Sequence, residues 1–470
     1  MKKNVVSDAL RTGLNRRPGR VLRLVLLVLA TAVFFVFARY ARYAKIDEFS
    51  GYKTGQMQVI SGVIFAAIFA VSYAVQLRAG RKLPVYMHVL LAVLTGAVLL
   101  AKISLLDYVS DDYDIFLSNW IYEYSQMGWK EGLGRYIGSD YTPPYLYLMQ
   151  IISRMKDYPP QYLVKAISIA FEVLMCTALM KLTSLRVKGD GAPLLVYHIA
   201  SLLPTVVFNG AYWGQCDVIY VSFCLMAVYM GLTRRSARSM ILFGVALSFK
   251  LQTVFFLPAL LALWLRGDIR LRDLVLLPVG YMGMMLPALI GGKSLHHVLT
   301  VYLQQAGLYN FITMNAPNLY QFLPDLDRTV LYTMFSPMAM MLGFAFMVAV
   351  CAALCAFRKH LTADSALLAC VLMLAGIPFF LPKMHERYTF GADVLSLALA
   401  VAQPRRVLLP LCFGFASYVA YTAGLAGEQI MDLKWAAMFQ MAAIALTAAE
   451  LWRSLHGPAC GAERITEVKA

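Results

Sequence analysis

Long apolar runs are the feature that most restricts what this chain can fold into. A helix needs about 20 apolar residues to cross about 30 Å of hydrocarbon, with some variation for tilt and mismatch. Such runs predict twelve transmembrane helices, at residues 21–38, 59–77, 84–106, 161–182, 193–209, 218–232, 274–290, 330–357, 363–381, 389–402, 407–425 and 435–452. Only 14% of the 470 residues are charged, against about a quarter in a typical soluble domain. We therefore expect an all-α, polytopic integral membrane protein rather than a disordered chain or an ordinary soluble enzyme.

The excess of basic residues indicates how the chain lies in the membrane. Lys and Arg total 42 against 26 Asp and Glu, which gives a net charge of +16. Cytoplasmic loops of membrane proteins are enriched in Lys and Arg, and with a cytoplasmic N-terminus the whole of the excess falls on that side. The charge therefore predicts cytoplasmic N- and C-termini and requires no nucleic-acid partner. The basic N-terminal arm is also suited to contact anionic membrane lipids.

One apolar stretch, 240–265, is expected to enter and leave the membrane on the same side. It lies between two arginine clusters, at 234–238 and 266–272, that both favour the cytoplasm. We therefore predict a re-entrant pair of half-helices, besides the twelve crossings, with its tip near Lys250. An ionisable residue at such a depth costs about 2.5–3.5 kcal/mol on insertion scales and is a functional candidate by default.

These runs divide the chain into four parts. Residues 1–106 form an N-terminal cytoplasmic arm and three transmembrane helices, and residues 107–160 form a large outer loop with a helix at the membrane interface. Residues 161–402 form a transmembrane core, and residues 403–470 form a C-terminal transmembrane pair with a cytoplasmic tail. A second long outer loop, within 291–323, either covers a site on the same face or is simply solvated.

The first outer loop carries carboxylates that could act as a general base. Asp111, Asp112 and Asp114 lie within four positions at the exit of a predicted span. Repulsion between like charges at the rim of a low-dielectric region makes a carboxylate a better proton acceptor. Alternatively, Asp111 or Asp112 serves as the N-cap of a helix that begins near Tyr113. The residues alone leave both interpretations open.

Two further polar groups fall on the same outward face. Trp213, Gln215 and Asp217 combine an indole, an amide and a carboxylate. This set suits sugar recognition by stacking and hydrogen bonds, although a tight turn with interfacial anchors would also use it. Gln252 follows Lys250 at the predicted re-entrant tip.

A cluster of cations lies in the link between two later spans. Lys383, His385 and Arg387 alternate there, with Glu386 between the last two. With Lys250 they predict an anion site at the membrane edge, because Arg binds phosphate oxygens bidentately and Lys acts as a point charge. A salt-bridge cluster of Glu386 with its neighbours is the alternative.

No cofactor is required by these residues. Cys351 and Cys355 share a helix face, but no nearby His or further Cys completes a metal set, so we expect neither a metal nor a disulfide there. Asp112 and Asp114 have the Asp-x-Asp spacing of metal-dependent nucleotide-sugar transferases, which leaves a divalent metal open.

Five short strings, in this order and spacing, carry a resemblance to a known family. They are Ser-Asp-Asp-Tyr at 110–113 with Phe-Leu at 116–117 and Trp120, Tyr-Thr-Pro-Pro-Tyr-Leu-Tyr at 141–147, Trp-Gly-Gln-Cys-Asp at 213–217, Phe-Lys-Leu-Gln at 249–252 and Pro-Lys-Met-His-Glu-Arg-Tyr at 382–388. Over about residues 100–400 the chain resembles the GT-C superfamily of polyprenyl-phosphate-sugar-dependent glycosyltransferases. Within it, the chain looks most similar to bacterial membrane proteins related to the second mannosyltransferase of GPI-anchor synthesis.

The resemblance implies an inverting glycosyltransferase in the bacterial plasma membrane, with a GT-C-like fold and an extracytoplasmic active site. Such an enzyme moves a hexose, for which the relatives' name suggests mannose, from a polyprenyl-phosphate donor to a hydroxyl of a glycan, lipid or protein acceptor. Asp112 best matches the family's base, with Asp111 and Asp114 as competitors, and the donor phosphate is assigned to Lys250, Lys383, His385 and Arg387. The residues assigned to the sugar and the acceptor are Tyr113, Trp120, Tyr141, Tyr145, Trp213, Gln215, Asp217, Gln252, Glu386 and Tyr388.

Two other functions fit a polytopic chain with charged residues near the membrane. One is a secondary transporter, although the halves show no internal repeat and the polar strings gather on one face rather than at the midplane. The other is a polysaccharide polymerase or ligase that uses a lipid-pyrophosphate donor.

Overall fold

A computed structural model of the chain describes residues 14–41, 52–306, 309–425, 427 and 429–457. The start of the predicted basic arm, at 1–13, and most of the predicted C-terminal tail, at 458–470, lie outside the described residues. The prediction that the arm contacts anionic lipids therefore concerns mainly residues that the structure does not describe.

The described residues fold almost wholly into helices. The first ten α-helices are α1 (Arg20–Tyr40), α2 (Thr54–Ala79), α3 (Val85–Ile103), α4 (Ser118–Ser125), α5 (Trp129–Gly134), α6 (Pro143–Ile152), α7 (Pro160–Ser184), α8 (Gly191–Leu202), α9 (Pro204–Val207) and α10 (Asp217–Leu232). The others are α11 (Ser236–Phe249), α12 (Leu257–Leu265), α13 (Leu276–Ile290), α14 (Leu295–Ala306), α15 (Arg328–Ala356), α16 (Ala363–Phe380), α17 (Phe390–Ala402), α18 (Leu408–Leu425) and α19 (Leu433–His456).

Shorter elements connect these helices. Two π-helical turns span Tyr113–Leu117 and Phe208–Trp213, and two short strands are β1 (Thr313–Met314) and β2 (Met384–His385). Five 3₁₀ segments span Leu251–Phe256, Leu271–Val275, Leu319–Phe322, Arg358–His360 and Pro404–Arg406.

The long apolar helices confirm the coarse prediction of a helical, multi-pass membrane protein. In the described part of the chain, nine helices are long and apolar enough to cross a membrane. Seven are α1, α2, α3, α7, α15, α16 and α19, and the other two are α13 and α18, each extended by the 3₁₀ turn before it. The predicted runs at 218–232 and 389–402 correspond to the shorter helices α10 and α17. The total of twelve crossings and the sides on which the termini lie stay predictions.

The predicted span 193–209 is broken rather than straight. Helix α8 ends at Leu202, and the chain continues from Pro204 to Trp213 after a bend of 54°. Proline has no backbone N–H and restricts the residue before it to extended conformations, and Leu203 has φ −54° and ψ 131°. The bend places the π-helical turn at 208–213 beside the first outer loop.

The predicted break near Lys250 is present. Helix α11 ends at Phe249, Lys250 is extended with φ −155° and ψ 136°, and the 3₁₀ turn from Leu251 leads into α12. The break itself is therefore confirmed, whereas the re-entrant path of the two halves stays a prediction.

The interfacial helix predicted within the first outer loop packs one of its faces against the protein. The sequence predicts that it lies at the membrane interface with its aromatic side chains among headgroups. Helix α6 does start at Pro143, but Tyr145 and Leu146 are each 3% exposed and Met149 is fully buried. The ring of Tyr145, expected among headgroups, is therefore buried within the protein, whereas the position of the helix relative to the membrane stays a prediction.

Helices α11 and α13 cross at two glycines, which brings their backbones close together. A Cβ on Gly280 would lie 2.4 Å from the carbonyl oxygen of Ile241, and one on Gly244 would lie 2.0 Å from that of Leu277. This crossing holds α11, whose C-terminal end presents Lys250, against the rest of the bundle.

A parallel pair of strands joins two distant outer segments. Thr313 of β1 pairs with Met384 of β2, and Met314 pairs with His385. The flanking residues Asn315 and Lys383 have φ values of 58° and 63°, a left-handed conformation that non-glycine residues adopt mostly where the surrounding structure imposes it. The pairing holds the link between α16 and α17 against the second outer loop.

Replacing Gly280 by alanine should weaken the α11–α13 crossing. The new methyl group overlaps backbone atoms that cannot move independently, and such overpacking costs about 1–3 kcal/mol. Gly283→Ala on the same helix is the matched control, because a Cβ there meets no atom within 4 Å. Thermal unfolding in detergent should show a lower midpoint for Gly280→Ala alone; equal midpoints for the two variants would contradict the crossing.

Candidate functional site

A cavity with a volume of about 500 Å³ opens beside the first outer loop. Its walls come from both outer loops, the break between α11 and α12, helix α15 and the link between α16 and α17. The predicted site residues that line it are Asp112, Trp120, Tyr141, Gln215, Lys250, Gln252, Lys383, His385, Arg387 and Tyr388. Segments far apart in the sequence therefore converge as the strings predicted.

The other predicted site residues lie outside this lining. Asp111 and Asp114 are exposed on the surface of the protein, and Tyr113 is half-buried. The remaining ones are buried around the cavity rather than in its wall: Tyr145, Trp213, Asp217 and Glu386. Of the three aspartates proposed as bases, only Asp112 faces the cavity.

Asp112 lies in the first turn of a helix that its side chain does not cap. The backbone N–H of Tyr113 donates instead to the hydroxyl of Ser110, at 3.3 Å, so the prediction that Asp111 or Asp112 forms the N-cap is wrong. Serine fills the role because its short side chain reaches back to the first free N–H groups. The Asp112 carboxylate remains available, and the π-helical turn at 113–117 follows it directly.

Gln215 holds the Asp112 carboxylate from the opposite side. Its Nε2 donates to Oδ2 of Asp112 in a short hydrogen bond, and the hydroxyl of Ser110 donates to the carbonyl of Trp213 at 2.9 Å. Gly214, with φ 81°, ends the π-helical turn at 208–213 and turns the amide towards the carboxylate. The hydrogen bond between Gln215 and Asp112 thus lies next to both π-helical turns. Such turns occur frequently at functional sites.

Asp217 is a buried counter-ion rather than a sugar-binding group. It is fully buried, and its Oδ1 lies 2.5 Å from Nζ of Lys250. Its Oδ2 lies 3.5 Å from Nε of Arg387 and accepts a hydrogen bond from Asn209. The structure therefore corrects the prediction for Asp217: a carboxylate beside two partly desolvated cations pairs with them instead of facing a ligand.

Arg387 is the centre of the charge cluster. Its guanidinium lies 3.0 Å from Glu386 and 3.9 Å from the Asp112 carboxylate. The pKa of Glu386 is lowered, because a hydrogen bond with His385 and the charge of Arg387 outweigh the effect of burial. The salt-bridge alternative thus describes Glu386 correctly, while Arg387 still lines the cavity.

Lys383 and His385 face the cavity from the strand-paired link. Nζ of Lys383 lies 3.4 Å from Oδ1 of Asn310 and 5.1 Å from the ring centre of Tyr332. The ring of His385 packs edge-on to that of Tyr388, with their centres 5.2 Å apart.

Aromatic rings form one side of the cavity. Trp120 and Tyr141 meet edge to face with centres 5.6 Å apart, and Tyr145 supports Tyr141 from behind at 4.8 Å. Such faces, beside the amide of Gln252, suit the C–H faces and hydroxyls of a sugar.

Sequence reasoning missed several residues of the cavity. Asp140 directly precedes a recognised string, and burial raises its pKa, with a further upward contribution from the charge of Asp112. The others come from the second outer loop and from helix α15. In α15 the only signal was a proline within an apolar run. These residues include Gln305, Tyr309, Tyr332, Ser336, Pro337 and Met340. The second outer loop therefore does cover part of the site.

In the described part of the chain, no group of three or more His, Cys, Asp or Glu side chains is arranged to hold a metal ion. The divalent metal left open by the Asp112–Asp114 spacing stays untested. Asp114 does not share the cavity with Asp112, so the two do not form a ligand pair there.

Asp217→Asn should destabilise the protein strongly. The change removes the charge that compensates Lys250, which is 4% exposed, and breaking a buried pair costs about 3–5 kcal/mol. Glu131→Gln is the control, because its partner Arg135 is exposed and such pairs contribute about 0–1 kcal/mol. Thermal unfolding should show a large loss for Asp217→Asn, with partial recovery when Lys250→Met is added; a loss as small as that of Glu131→Gln would contradict the pairing.

In comparisons with known proteins, the chain matches no protein-family model and no curated protein sequence. The resemblance of five strings to GT-C glycosyltransferases therefore stays a prediction. What the cavity does has to be inferred from its own charges, contacts and walls.

Proposed function

We propose that this protein transfers a hexose from a polyprenyl-phosphate donor to an acceptor hydroxyl, within the cavity at Asp112. One observation carries the proposal. A cavity-facing carboxylate, fixed by Gln215, lies 3.9 Å from the guanidinium of Arg387, and the same cavity is bounded by an apolar helix of membrane-spanning length. We take Asp112 as the proton acceptor, Arg387 as the anion-binding cation and the apolar helix as the boundary along which a lipid chain lies.

The carboxylate suits the base of an inverting transfer. Asp112 accepts the proton of the acceptor hydroxyl, whose oxygen forms a bond to the anomeric carbon. The bond from that carbon to the phosphate oxygen breaks, and its electron pair leaves with the polyprenyl phosphate. The leaving group is an anion already, so no general acid is needed, and nearby cations stabilise its growing charge. Arg387 and Lys383 are the cations proposed for this role.

The charge compensation in the cluster favours a monophosphate donor. Asp217 and Glu386 neutralise much of the charge of Lys250 and Arg387, so the cavity offers little net positive charge. A polyprenyl-phosphate sugar is a phosphodiester with one negative charge, whereas a lipid pyrophosphate carries more. This balance favours the glycosyltransferase over the polymerase or ligase alternative.

Helix α15 supports a lipid-linked donor. It contributes Tyr332, Ser336, Pro337 and Met340 to the cavity, while only 22% of its most apolar stretch is buried within the protein. One face of the helix therefore borders the cavity and the remainder suits contact with lipid. We propose that the prenyl chain lies along α15. The phosphate then lies at Lys383 and Arg387, and the sugar lies against Trp120 and Tyr141.

A secondary transporter is the second candidate, because ionisable groups also lie deep among the helices. Lys102 of α3 and Glu172 of α7 form a buried ion pair and line a small cavity of about 30 Å³ together with His198. Such groups often mark transport paths. Uptake of a radiolabelled solute into liposomes, in the absence of any sugar transfer, would favour this candidate over the first.

Asp112→Asn should abolish sugar transfer while leaving the fold intact. Asparagine keeps the shape and can still bond to Gln215, but it cannot accept a proton, which removes a contribution of about 10²–10⁴ in rate. Asp114→Asn is the matched control, since Asp114 is exposed and outside the cavity lining. Transfer from a radiolabelled polyprenyl-phosphate sugar to a panel of acceptors measures both; loss with Asp114→Asn but not Asp112→Asn would contradict the assignment.

Lys383→Met should weaken donor binding more than it slows turnover. Removing a charged donor to a phosphate costs about 1.5–3 kcal/mol, so the donor KM should rise by about tenfold or more while kcat changes less. Lys359→Met serves as the control, because Lys359 is exposed in the 3₁₀ turn after the end of α15 and is not part of the cavity lining. An unchanged donor KM in steady-state assays would remove Lys383 from the phosphate site.

A further inference from the structure

Helix α7 presents three polar side chains on one face. Lys165, Ser168 and Glu172 are spaced three and four residues apart, which places them along one side of the helix. They are 2%, 2% and 3% exposed, respectively. This face packs against both the end of α3, which leads to Asp112, and the π-helical turn that leads to Gln215.

Lys165 binds the chain just before the carboxylate. Its Nζ donates to the carbonyl oxygens of Leu105 and Leu106 at 3.0 Å and to that of Tyr108 at 2.5 Å. An ammonium group has three donors, and each has one carbonyl here. Its positive charge also complements carbonyls just beyond the C-terminal end of a helix, where the helix dipole is negative.

The same three residues lie beside the segment that carries Gln215. A Cβ built on Gly214 would lie 3.5 Å from the Lys165 stem, and one on Gly210 would lie 2.7 Å from Oε1 of Glu172. The hydroxyl of Ser168 donates to the carbonyl of Gln215 at 2.7 Å. Gly210 thus lies where a larger side chain would overlap Glu172, and Gly214 has the positive φ of 81° that favours glycine.

The far end of the face is fixed to α3. Oε2 of Glu172 pairs with Lys102 in a short contact, and Lys102 lies one residue before the end of α3. One helix face thus holds α3, the chain leading to Asp112 and the segment leading to Gln215.

We infer that the Lys165–Ser168–Glu172 face of α7 positions the Asp112 carboxylate against the Gln215 amide. These are positioning residues, since none of them lines the cavity. The consequence for the reaction rate rests on the proposed glycosyl transfer, whereas the consequence for geometry does not. Lys165 is the most informative of the three, because it binds the chain that leads to Asp112 and also lies beside Gly214.

Cross-linking tests the geometry without any assay of activity. Asp112 and Gln215 are replaced by cysteine, Cys216 is replaced by alanine, and a short thiol-bridging reagent is applied; mass spectrometry then identifies the linked peptides. The link should form with Lys165 present and fall severalfold with Lys165→Met, while Lys165→Arg restores it in part. Lys181→Met, on the same helix but half-buried beneath Tyr229, should leave the yield unchanged.

The rate provides the second readout, in chains with native Asp112 and Gln215. Lys165→Met should lower kcat by between about tenfold and about a hundredfold, as for a displaced reacting group, with little change in donor KM. Ser168→Ala removes only one hydrogen bond and serves where Lys165→Met does not fold. An undiminished cross-link in folded Lys165→Met and Ser168→Ala chains would overturn the inference. If the cross-linking yields change as predicted but the native chain transfers no sugar, the proposed function alone is overturned.

Discussion

The buried contact of Asp217 with Lys250 and Arg387 holds the site together. The three residues come from the start of α10, the break after α11 and the link between α16 and α17. Desolvating these charges is costly unless each finds a partner, so the segments must meet in one arrangement for the chain to fold. The convergence of the cavity walls follows from that requirement, because each segment also carries a cavity residue.

The cluster also determines what the cavity can do. Arg387 is held by Asp217 and Glu386 from behind, yet its guanidinium still faces Asp112. A cation fixed in advance stabilises charge that develops during a reaction without reorganising at that moment. The α7 face fixes the carboxylate in the same way, through Lys165 and the segment that carries Gln215. Preorganisation from two sides is the physical basis of the proposed transfer.

Local patterns allowed much of this to be predicted from the sequence. The long helices and the break at Lys250 follow from apolar run length and from the arginine clusters on either side of 240–265. The choice of Asp112 among its neighbouring aspartates came only from the family resemblance. The partner of Asp217 could not be predicted, since it depends on pairing across 33 residues with Lys250. The cavity residues of α15 were missed because that helix has the composition of an ordinary apolar span. The N-cap was assigned wrongly, since Ser110 and the aspartates beside it are all good caps and only the backbone path selects one.

The most direct test of the account is a structure of the full chain in lipid nanodiscs with a polyprenyl-phosphate sugar bound. The account predicts phosphate density beside the guanidinium of Arg387 and Nζ of Lys383, the prenyl chain along α15, and the anomeric carbon within reach of an acceptor held at Asp112. Phosphate density elsewhere, for example beside the Arg186 and Arg406 pairs with Asp364, with the Asp112 cavity free of the sugar, would contradict it.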